Sequence, residues 1–529
     1  MAATDLRPRC HPLGKYVLPL VLTLALLLRV YLLFTVLEPI EGDEAVIGLM
    51  AQHIRHGART LFDYDISYHG PLESYLTAPL FALFGMNRFV LRIVPLAFSL
   101  AFIWAIYGLG SKLYGRGVGL YSALYAAIPP SMLIIWGLKA GAGYIVVLVL
   151  GTVSLSLALD LRVRASPAKI VVLSLVLALG LWVQYVTGYY VAALILVMAS
   201  AKILRVGPEH PLPGPAKALA VVLMVGVLLG VYGLLSRLAA LPPLADFLRN
   251  LVGLFTTALP VLLGFLQPSV SDALFTSQVT KQGLFYILAV ALTVAACLAV
   301  VGIGAQRLKE GDNLLLLFGA VTVIAFSLFF TVFRLPFALL QEPRYLLPLY
   351  SAIPLAVFAL FLLLRRLVWL RPVLLAGLLA FNLHGNLTIQ PALNLPYLHS
   401  TTVADNRVLI DWLDDNDIRH VYTDYWIGYP LTFESEERIV PFIIASGSQV
   451  GWNRYPPYAA EVESSARPAY IFVAGSTDEQ TFARYLIGQN VAYQVQSLAP
   501  YVVYWNLSIP VRFPLRPPPD AAMLHDRQF

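Results

Sequence analysis

The apolar run LPLVLTLALLLRVYLLFTVL, residues 18–37, ends directly at the acidic segment EPIEGDEAVIGLM, residues 38–50. A helix of that length crosses a hydrocarbon core of roughly 30 Å. Carboxylates are unfavourable near lipid, yet Glu41, Asp43 and Glu44 follow the run within a few residues. The contrast between the two segments predicts a membrane-spanning helix whose far end carries a polar functional site.

The composition agrees with a membrane protein. The 529 residues are 59% hydrophobic and 12% charged, whereas soluble domains carry roughly 25% charged residues. The mean hydropathy is +0.74. We therefore predict a polytopic α-helical membrane protein with about eleven transmembrane helices, near residues 16–37, 89–111, 117–137, 141–160, 168–186, 188–204, 216–238, 283–305, 313–333, 345–364 and 372–388.

The basic residues lie in alternate loops between these predicted spans. They are Arg7, Arg9 and Lys15 before the first span, then Lys112/Arg116, Arg162/Arg164/Lys169, Lys202/Arg205/Lys217, Arg307/Lys309 and Arg365/Arg366/Arg371. Basic loops stay in the cytoplasm, so we expect a multi-pass protein of the plasma membrane with a cytoplasmic N-terminus and an extracytoplasmic C-terminal domain. Because the formal charge of +6 arises in such loops, it does not indicate a nucleic-acid partner.

The apolar runs end near residue 395. Patterns typical of helices and strands then alternate over residues 408–413, 420–425, 469–474, 479–487 and 501–506. The domains predicted from these changes are a transmembrane domain over 1–394 (its first outer loop, 38–88, containing interfacial helices), a small α/β domain over 395–515 and a flexible tail over 516–529.

Two aromatic segments of the C-terminal domain stand out, residues 422–433 and 452–455. Aromatic side chains there suit stacking on a sugar. They suit the packing of a small core equally well, and the sequence leaves both interpretations open.

The first candidate site is the pair Asp43-Glu44. A hydroxyl that attacks a sugar must lose its proton, and a fixed carboxylate can accept it as a general base. The alternative is a helix N-terminus, where acidic residues are favoured by the helix dipole. The two interpretations are compatible.

His69, in Tyr68-His69-Gly70-Pro71, is the second candidate. It could bind a phosphate, orient a carboxylate or ligate a metal, or be an ordinary loop histidine. We predict no metal site, since the other histidines of the loop have no matching ligand motif and Cys10 and Cys297 are far apart.

Three cations complete the candidates. Arg344, followed by Tyr345 at the start of a late span, could bind an anionic lipid headgroup or simply extend to the interface. Arg29 lies inside the first span, where an unpaired charge costs at least about 2.5 kcal/mol, so it should face a polar cavity, a carboxylate or a phosphate. Lys139 either adds positive charge to the same cavity or anchors its helix at the interface.

With these residues in view, the chain resembles the type-C glycosyltransferases, in particular the group of protein O-mannosyltransferases and of aminoarabinose transferases that modify lipid A. Four elements carry the resemblance. They are Asp43-Glu44-Ala45, His69-Gly70-Pro71-Leu72, Phe84-Gly85 followed by Leu91-Arg92-Ile93-Val94-Pro95, and Pro343-Arg344-Tyr345-Leu346-Leu347-Pro348.

The resemblance implies transfer of a sugar from a polyprenyl- or dolichyl-phosphate carrier to an acceptor hydroxyl outside the cytoplasm, with inversion at the sugar carbon. Asp43 would be the general base and Glu44 would support it. Arg344 and Tyr345 would bind the carrier phosphate and sugar, with His69, Lys139 and Arg29. The acceptor would be a protein, a lipid or a glycan. No cofactor is implied with certainty, and a divalent cation is left open.

The sequence departs from the family at two places. Trp136-Gly137-Leu138-Lys139-Ala140 stands where many relatives have an acidic or arginine-bearing element, and Gly70 stands where proline is usual. The alternative function is a transporter or flippase of a lipid-linked sugar. That alternative predicts internal repeats and ionisable groups near the membrane midplane. The sequence shows no repeat and few such groups.

Overall fold

A computed structural model describes residues 16–36, 40–141, 143–164, 166–203, 244–265, 291, 343–363, 368–389, 406–445 and 448–514. Contacts divide the chain into two compact units. We call them the helical unit, the described residues within Met1–Val36, Tyr68–Gly70 and Pro95–Gln390, and the sheet unit, those within Leu37–Ser67, Pro71–Val94 and Pro391–Phe529. The predicted boundary at residue 394 placed the first loop with the transmembrane domain, whereas its residues mostly pack with the C-terminal part of the chain.

Apolar helices make up most of the described chain before residue 390. They are α1 (Val17–Thr35), α2 (Gly42–Arg55), α3 (Leu72–Phe84), α4 (Arg88–Leu91), α5 (Ile93–Tyr114), α6 (Arg116–Ala127), α7 (Ser131–Leu138), α8 (Tyr144–Val163), α9 (Pro167–Val183), α10 (Gly188–Ile203), α11 (Leu244–Gly253), α12 (Leu259–Leu262), α13 (Ile353–Leu363) and α14 (Leu370–Leu387). A π-helical turn, Leu254–Ala258, and the 3₁₀ segments Tyr185–Thr187 and Pro343–Ser351 connect some of them.

Most of the predicted spans coincide with these helices. The span at 117–137 is instead a bent pair, α6 and α7, whose axes differ by 75°. Pro129 and Pro130 separate the two helices, because proline cannot continue a helix and disfavours helical geometry in the residue before it. The predicted spans 216–238, 283–305 and 313–333 lie outside the described residues.

In the part of the chain that the structure describes, three helices are long and apolar enough to cross a membrane: Val17–Thr35, Arg88–Tyr114 and Tyr144–Leu161. The bent pair of α6 and α7 would be a fourth span. The count of about eleven stays a prediction.

The sheet unit contains the predicted α/β domain. Its elements after residue 405 are α15 (Asn406–Asp415), β1 (His420–Asp424), α16 (Tyr425–Glu434), β2 (Val440–Ala445), β3 (Gln449–Val450), α17 (Pro456–Ser464), β4 (Ala469–Val473), α18 (Thr477–Gly488), β5 (Gln494–Leu498) and β6 (Tyr501–Trp505). Each of the segments over which helix and strand patterns were predicted to alternate overlaps one of these elements.

Among the described residues, the strands form one six-stranded sheet in the order β3-β2-β1-β4-β6-β5. β1 pairs in parallel with β2 and β4, with Val421 opposite both Pro441 and Ala469, and the other pairs are antiparallel. The parallel centre is buried on both faces, as the continuous apolar run of β4 requires.

The first loop joins the sheet unit through α2. We predicted from its apolar face a helix lying on the membrane surface. Val46, Ile47 and Met50 are instead buried against protein, because α2 packs on α3 and α16. Gly48 permits this approach, since a Cβ there would lie 2.3 Å from the ring of Phe433.

Candidate active site

Asp43 lies in the first turn of α2. The preceding Glu41 has extended backbone, φ −103° and ψ 168°, and occupies the N-cap position. An acidic side chain is favoured there by the exposed N–H groups and the helix dipole. The side chain of Asp43 is nevertheless 33% exposed, so its carboxylate remains open to chemistry.

Two residues from the C-terminal part of the chain hold this carboxylate. The hydroxyl of Tyr425 donates a hydrogen bond to Oδ1 of Asp43 at 2.6 Å. Nη1 of Arg454 lies 3.5 Å from the same oxygen and donates to the Tyr425 hydroxyl at 3.3 Å. The guanidinium is itself fixed, since Nε donates to the backbone oxygen of Tyr64 at 2.9 Å.

Aromatic rings surround this contact. Tyr425 stacks on Trp452 with ring centroids 5.9 Å apart, and the Arg454 guanidinium lies 4.9 Å from the Trp452 ring centre. Of the two aromatic segments, residues 422–433 contribute mainly buried rings such as Tyr422 and Phe433, as core packing requires. Trp452, from the second segment, is 46% exposed.

Glu44, the neighbour of Asp43, is held in an ion pair. Its carboxylate accepts two hydrogen bonds from Arg92, from Nε at 2.7 Å and from Nη2 at 2.6 Å, and both side chains are buried. A carboxylate held in that way is not available to accept a proton from a substrate. The ion pair fixes the first turn of α2, from which Asp43 also projects.

Asp63 is a further acid near Asp43 that the sequence did not single out. It is 7% exposed. Burial raises its pKa from 3.8 to about 7, with the charge of Asp43 adding to the rise and Arg454 opposing it. The sheet unit thus places the carboxyl groups of Asp63 and Asp43 near one arginine, Arg454.

His53, near the end of α2, is also paired. Its ring nitrogens lie 2.6 Å from Oε1 of Glu437 and 2.6 Å from the hydroxyl of Tyr64. Within the described residues no group of three or more His, Cys, Asp or Glu side chains is arranged to hold a metal ion.

His69 belongs to the helical unit. Its Nε2 lies 2.8 Å from the side-chain amide nitrogen of Gln184, and the ring stacks on Tyr185 with centroids 6.3 Å apart. Gly70 N donates to the backbone oxygen of Val183 at 3.2 Å. The end of α9 therefore fixes the orientation of the histidine.

Four of the predicted substrate-binding residues meet in this unit. Arg344 lies 5.5 Å from the ring centre of Trp136 and 5.3 Å from that of Tyr345, and Lys139 lies 5.7 Å from Trp136. Tyr345 is in turn 6.3 Å from Tyr185, the ring on which His69 stacks. We call this group the aromatic–cation cluster. It comprises His69, Trp136, Lys139, Tyr185, Arg344 and Tyr345.

Arg29 is not part of that cluster. Its guanidinium donates to Ser99 Oγ at 2.8 Å and to the backbone oxygens of Ala127 and Ala126 at 2.9 and 3.0 Å. These carbonyls end α6, where the last oxygens of a helix lack intrahelical donors. The prediction that a buried charge needs a partner holds. Its assignment to substrate binding stays a prediction, and the partners shown in the described residues are Ser99 and the end of a neighbouring helix.

Sequence reasoning missed several residues of these two groups. Tyr425, Arg454 and Asp63 in the sheet unit, and Gln184 and Tyr185 in the helical unit, have no local motif. The aromatic segments containing Tyr425 and Arg454 were noticed, but nothing in them indicates a carboxylate partner 382 residues earlier in the chain.

Residues 68–229 match the family model described as dolichyl-phosphate-mannose-protein mannosyltransferase. A comparison of the sequence with curated proteins finds no match.

Among solved structures, ArnT from Cupriavidus metallidurans in the apo state matches with a TM-score of 0.54 and 13% identity, over 93% of this chain and 98% of that chain. ArnT bound to undecaprenyl phosphate matches with a TM-score of 0.53 and 14% identity, over 94% and 99%. The archaeal oligosaccharyltransferase AglB from Archaeoglobus fulgidus, in complex with an inhibitory peptide and a dolichol-phosphate, matches with a TM-score of 0.50 and 15% identity, over 95% and 76%. These structural matches show that the chain shares the fold of ArnT and AglB, and its residues 68–229 match the mannosyltransferase family model.

Proposed function

We propose that the chain is an inverting glycosyltransferase, which moves a sugar from a polyprenyl- or dolichyl-phosphate carrier to an acceptor hydroxyl on the extracytoplasmic side of the membrane. The aromatic–cation cluster is the observation that carries the proposal. It brings two cations, a histidine and three aromatic rings together in an apolar helical unit, as a lipid phosphate requires. The similarity to structures containing undecaprenyl phosphate and dolichol-phosphate supports the same class of donor.

The reaction is a single displacement. The acceptor oxygen attacks the anomeric carbon, the bond from that carbon to the phosphate oxygen breaks, and its electron pair leaves with the phosphate. The acceptor's proton passes to Asp43. Attack on the side opposite the leaving group inverts the sugar carbon.

Stabilising the departing phosphate is the larger task, because an alkyl phosphate anion needs no acid to leave. Arg344 supplies the planar guanidinium, Lys139 adds charge, and His69 and Tyr345 line the same cluster. Removing one such donor typically costs roughly 2.7–4 kcal/mol of barrier. Glu44 contributes through Arg92, as described above.

The side of the membrane is proposed from the distribution of charge. Basic loops indicate a cytoplasmic N-terminus, which assigns the first loop and the C-terminal domain to the extracytoplasmic face of the plasma membrane. The acceptor, whether protein, lipid or glycan, would then be a component of the cell envelope.

The test uses membrane vesicles containing the full chain, with dolichyl phosphate mannose carrying a tritiated sugar as the probe. We expect the label to become covalently attached to an acceptor. Asp43→Asn and Arg344→Ala should each reduce transfer at least about a hundredfold. Addition of EDTA shows whether a divalent cation takes part.

The matched control for Asp43→Asn is Asp411→Asn, which changes an exposed carboxylate on α15. Label that crosses the bilayer without attachment would favour the transporter or flippase. Full transfer by a normally folded Asp43→Asn protein would remove the base assignment.

A further inference from the structure

Within the part of the chain that the structure describes, Tyr425 and Arg454 hold the carboxylate of Asp43 from one side. Tyr425 and Arg454 both approach Oδ1, at 2.6 and 3.5 Å. Neither of these two contacts involves Oδ2. A carboxylate tethered by one oxygen keeps a fixed orientation while its second oxygen can accept a proton.

We propose that Tyr425 and Arg454 are positioning residues for Asp43, so that the C-terminal α/β domain supplies part of the acid–base site. This inference rests on the proposed function, in which Asp43 is the base. It gives that domain a role in the chemical step in addition to any role in acceptor binding.

The side chains of Tyr425 and Arg454 are both buried and held in place. Tyr425 is 8% exposed and follows β1 directly as the first residue of α16. Burial, together with the nearby charge of Asp43, raises the pKa of Tyr425 well above its ordinary value, so that the phenol keeps its proton and donates it. Arg454 is 4% exposed and is held by the Tyr64 backbone oxygen.

The backbone of α2 is shaped to receive the tyrosine. A Cβ at Gly42 would lie 2.6 Å from Cε1 of Tyr425. Only glycine therefore allows the phenol to reach the carboxylate of the next residue. The close approach of Tyr425 to Gly42 thus accompanies the hydrogen bond from Tyr425 to Asp43.

The chain offers a matched pair of tyrosines for the test. Tyr429 lies one turn after Tyr425 on α16, is equally buried, and its hydroxyl accepts from the backbone N–H of Tyr455 at 3.3 Å. Tyr425→Phe removes the donor to Asp43 and keeps the ring, whereas Tyr429→Phe removes a hydroxyl that does not contact Asp43.

The first measurement needs no substrate. A water-soluble carbodiimide attaches to carboxyl groups that it can reach, and peptide mass spectrometry on the purified full chain reports how fast Asp43 reacts. Tyr425→Phe frees Oδ1 of Asp43 from its hydrogen bond and should speed the reaction severalfold at a fixed pH. Tyr429→Phe should keep the wild-type rate. Equal rates in the two variants would overturn the proposal.

The second measurement is transfer from dolichyl phosphate mannose. Tyr425→Phe should lower kcat about tenfold with an unchanged KM for the donor. In an Asp43→Asn background it should have no further effect, since the group that it positions is gone. If Tyr425→Phe does not fold, Arg454→Gln provides the same comparison through the other contact.

The base role of Asp43 and the positioning role of Tyr425 are tested by different outcomes. Full activity of Asp43→Asn would remove the proposed base. Loss of activity in Asp43→Asn, with Tyr425→Phe behaving as Tyr429→Phe does, would leave the proposed function intact and overturn only this inference.

Discussion

Glu44 and Arg92 form an ion pair that is closed to solvent, with 0% and 1% of the side chains exposed and the two hydrogen bonds measuring 2.6 and 2.7 Å. The pair links the first turn of α2 to the connection between α4 and α5, where Arg92 lies. Because Asp43 precedes Glu44 directly, the pair also fixes the backbone from which Asp43 projects.

Removing one partner of this pair should therefore destabilise the protein. Glu44→Ala or Arg92→Ala leaves a buried charge without its counter-ion, which typically costs about 3–5 kcal/mol. The double variant Glu44→Gln/Arg92→Met should recover much of the loss, since it buries no charge. Thermal unfolding in detergent measures both. Arg88→Ala is the control, because the Arg88–Glu434 pair is 25% and 19% exposed. Equal melting temperatures for Arg92→Ala and Arg88→Ala would contradict the expectation.

Asp63 should make the stability of the sheet unit depend on pH. Its pKa is about 7 in the folded protein and near 3.8 when unperturbed, because burial disfavours the charged form. Between these values the folded state retains a proton that the unfolded state has lost, so stability falls as pH rises through this window and levels off above it.

Asp63→Asn removes that dependence. We expect the variant to unfold at a higher temperature than the wild type at pH 8, by a free energy of up to about 4 kcal/mol, and to match it near pH 4. Unfolding temperatures measured across this range test the sign directly. Parallel curves for the two proteins would show that Asp63 does not hold the extra proton.

The limits of sequence reasoning follow from the separation of the contacts along the chain. Helices α1 and α8 and the segments of strands β1, β4 and β6 were predictable, since hydrophobic periodicity is local. His69, Lys139, Arg344 and Tyr345 were proposed as one binding group, and the structure does bring them into one cluster. The partners Tyr425 and Gln184 were not predictable, because they lie 382 and 115 residues from Asp43 and His69 and no local pattern marks them. The same limit applies to the partners of Arg29. A sequence indicates that the charge is buried, but not whether helix carbonyls or a ligand will accept its hydrogen bonds.

Replacing Gly70 by proline, the usual residue at this position in the proteins that the sequence resembles, should destabilise the protein. A Cβ there would lie 2.6 Å from the backbone oxygen of Trp182 and 2.7 Å from its ring. Proline would also remove the N–H that donates to Val183. Gly70→Ala and Gly70→Pro should each destabilise the protein by about 1–3 kcal/mol and weaken donor binding by displacing His69 from Gln184.

Gly108→Ala is the matched control, because a Cβ at Gly108 in α5 meets nothing within 4 Å. It should be neutral or stabilise the helix by up to about 1 kcal/mol. Unfolding temperatures and binding of undecaprenyl phosphate, followed by native mass spectrometry, separate the two positions. A Gly70→Pro protein with wild-type stability would show that the contact with Trp182 relaxes without penalty.

Substitutions of Arg29 and Arg344 should distinguish an effect on stability from an effect on donor binding. Arg29→Met leaves the carbonyls of Ala126 and Ala127 without their donor, and each unsatisfied buried group costs about 1–3 kcal/mol. The melting temperature should fall, while the protein that remains folded should bind undecaprenyl phosphate as the wild type does. Arg344→Ala should show the opposite pattern, with a nearly unchanged melting temperature and at least about tenfold weaker binding, since the guanidinium over Trp136 is the proposed phosphate contact. Weakened binding in a fully stable Arg29→Met protein would return Arg29 to the substrate site and require a different account of how α6 ends.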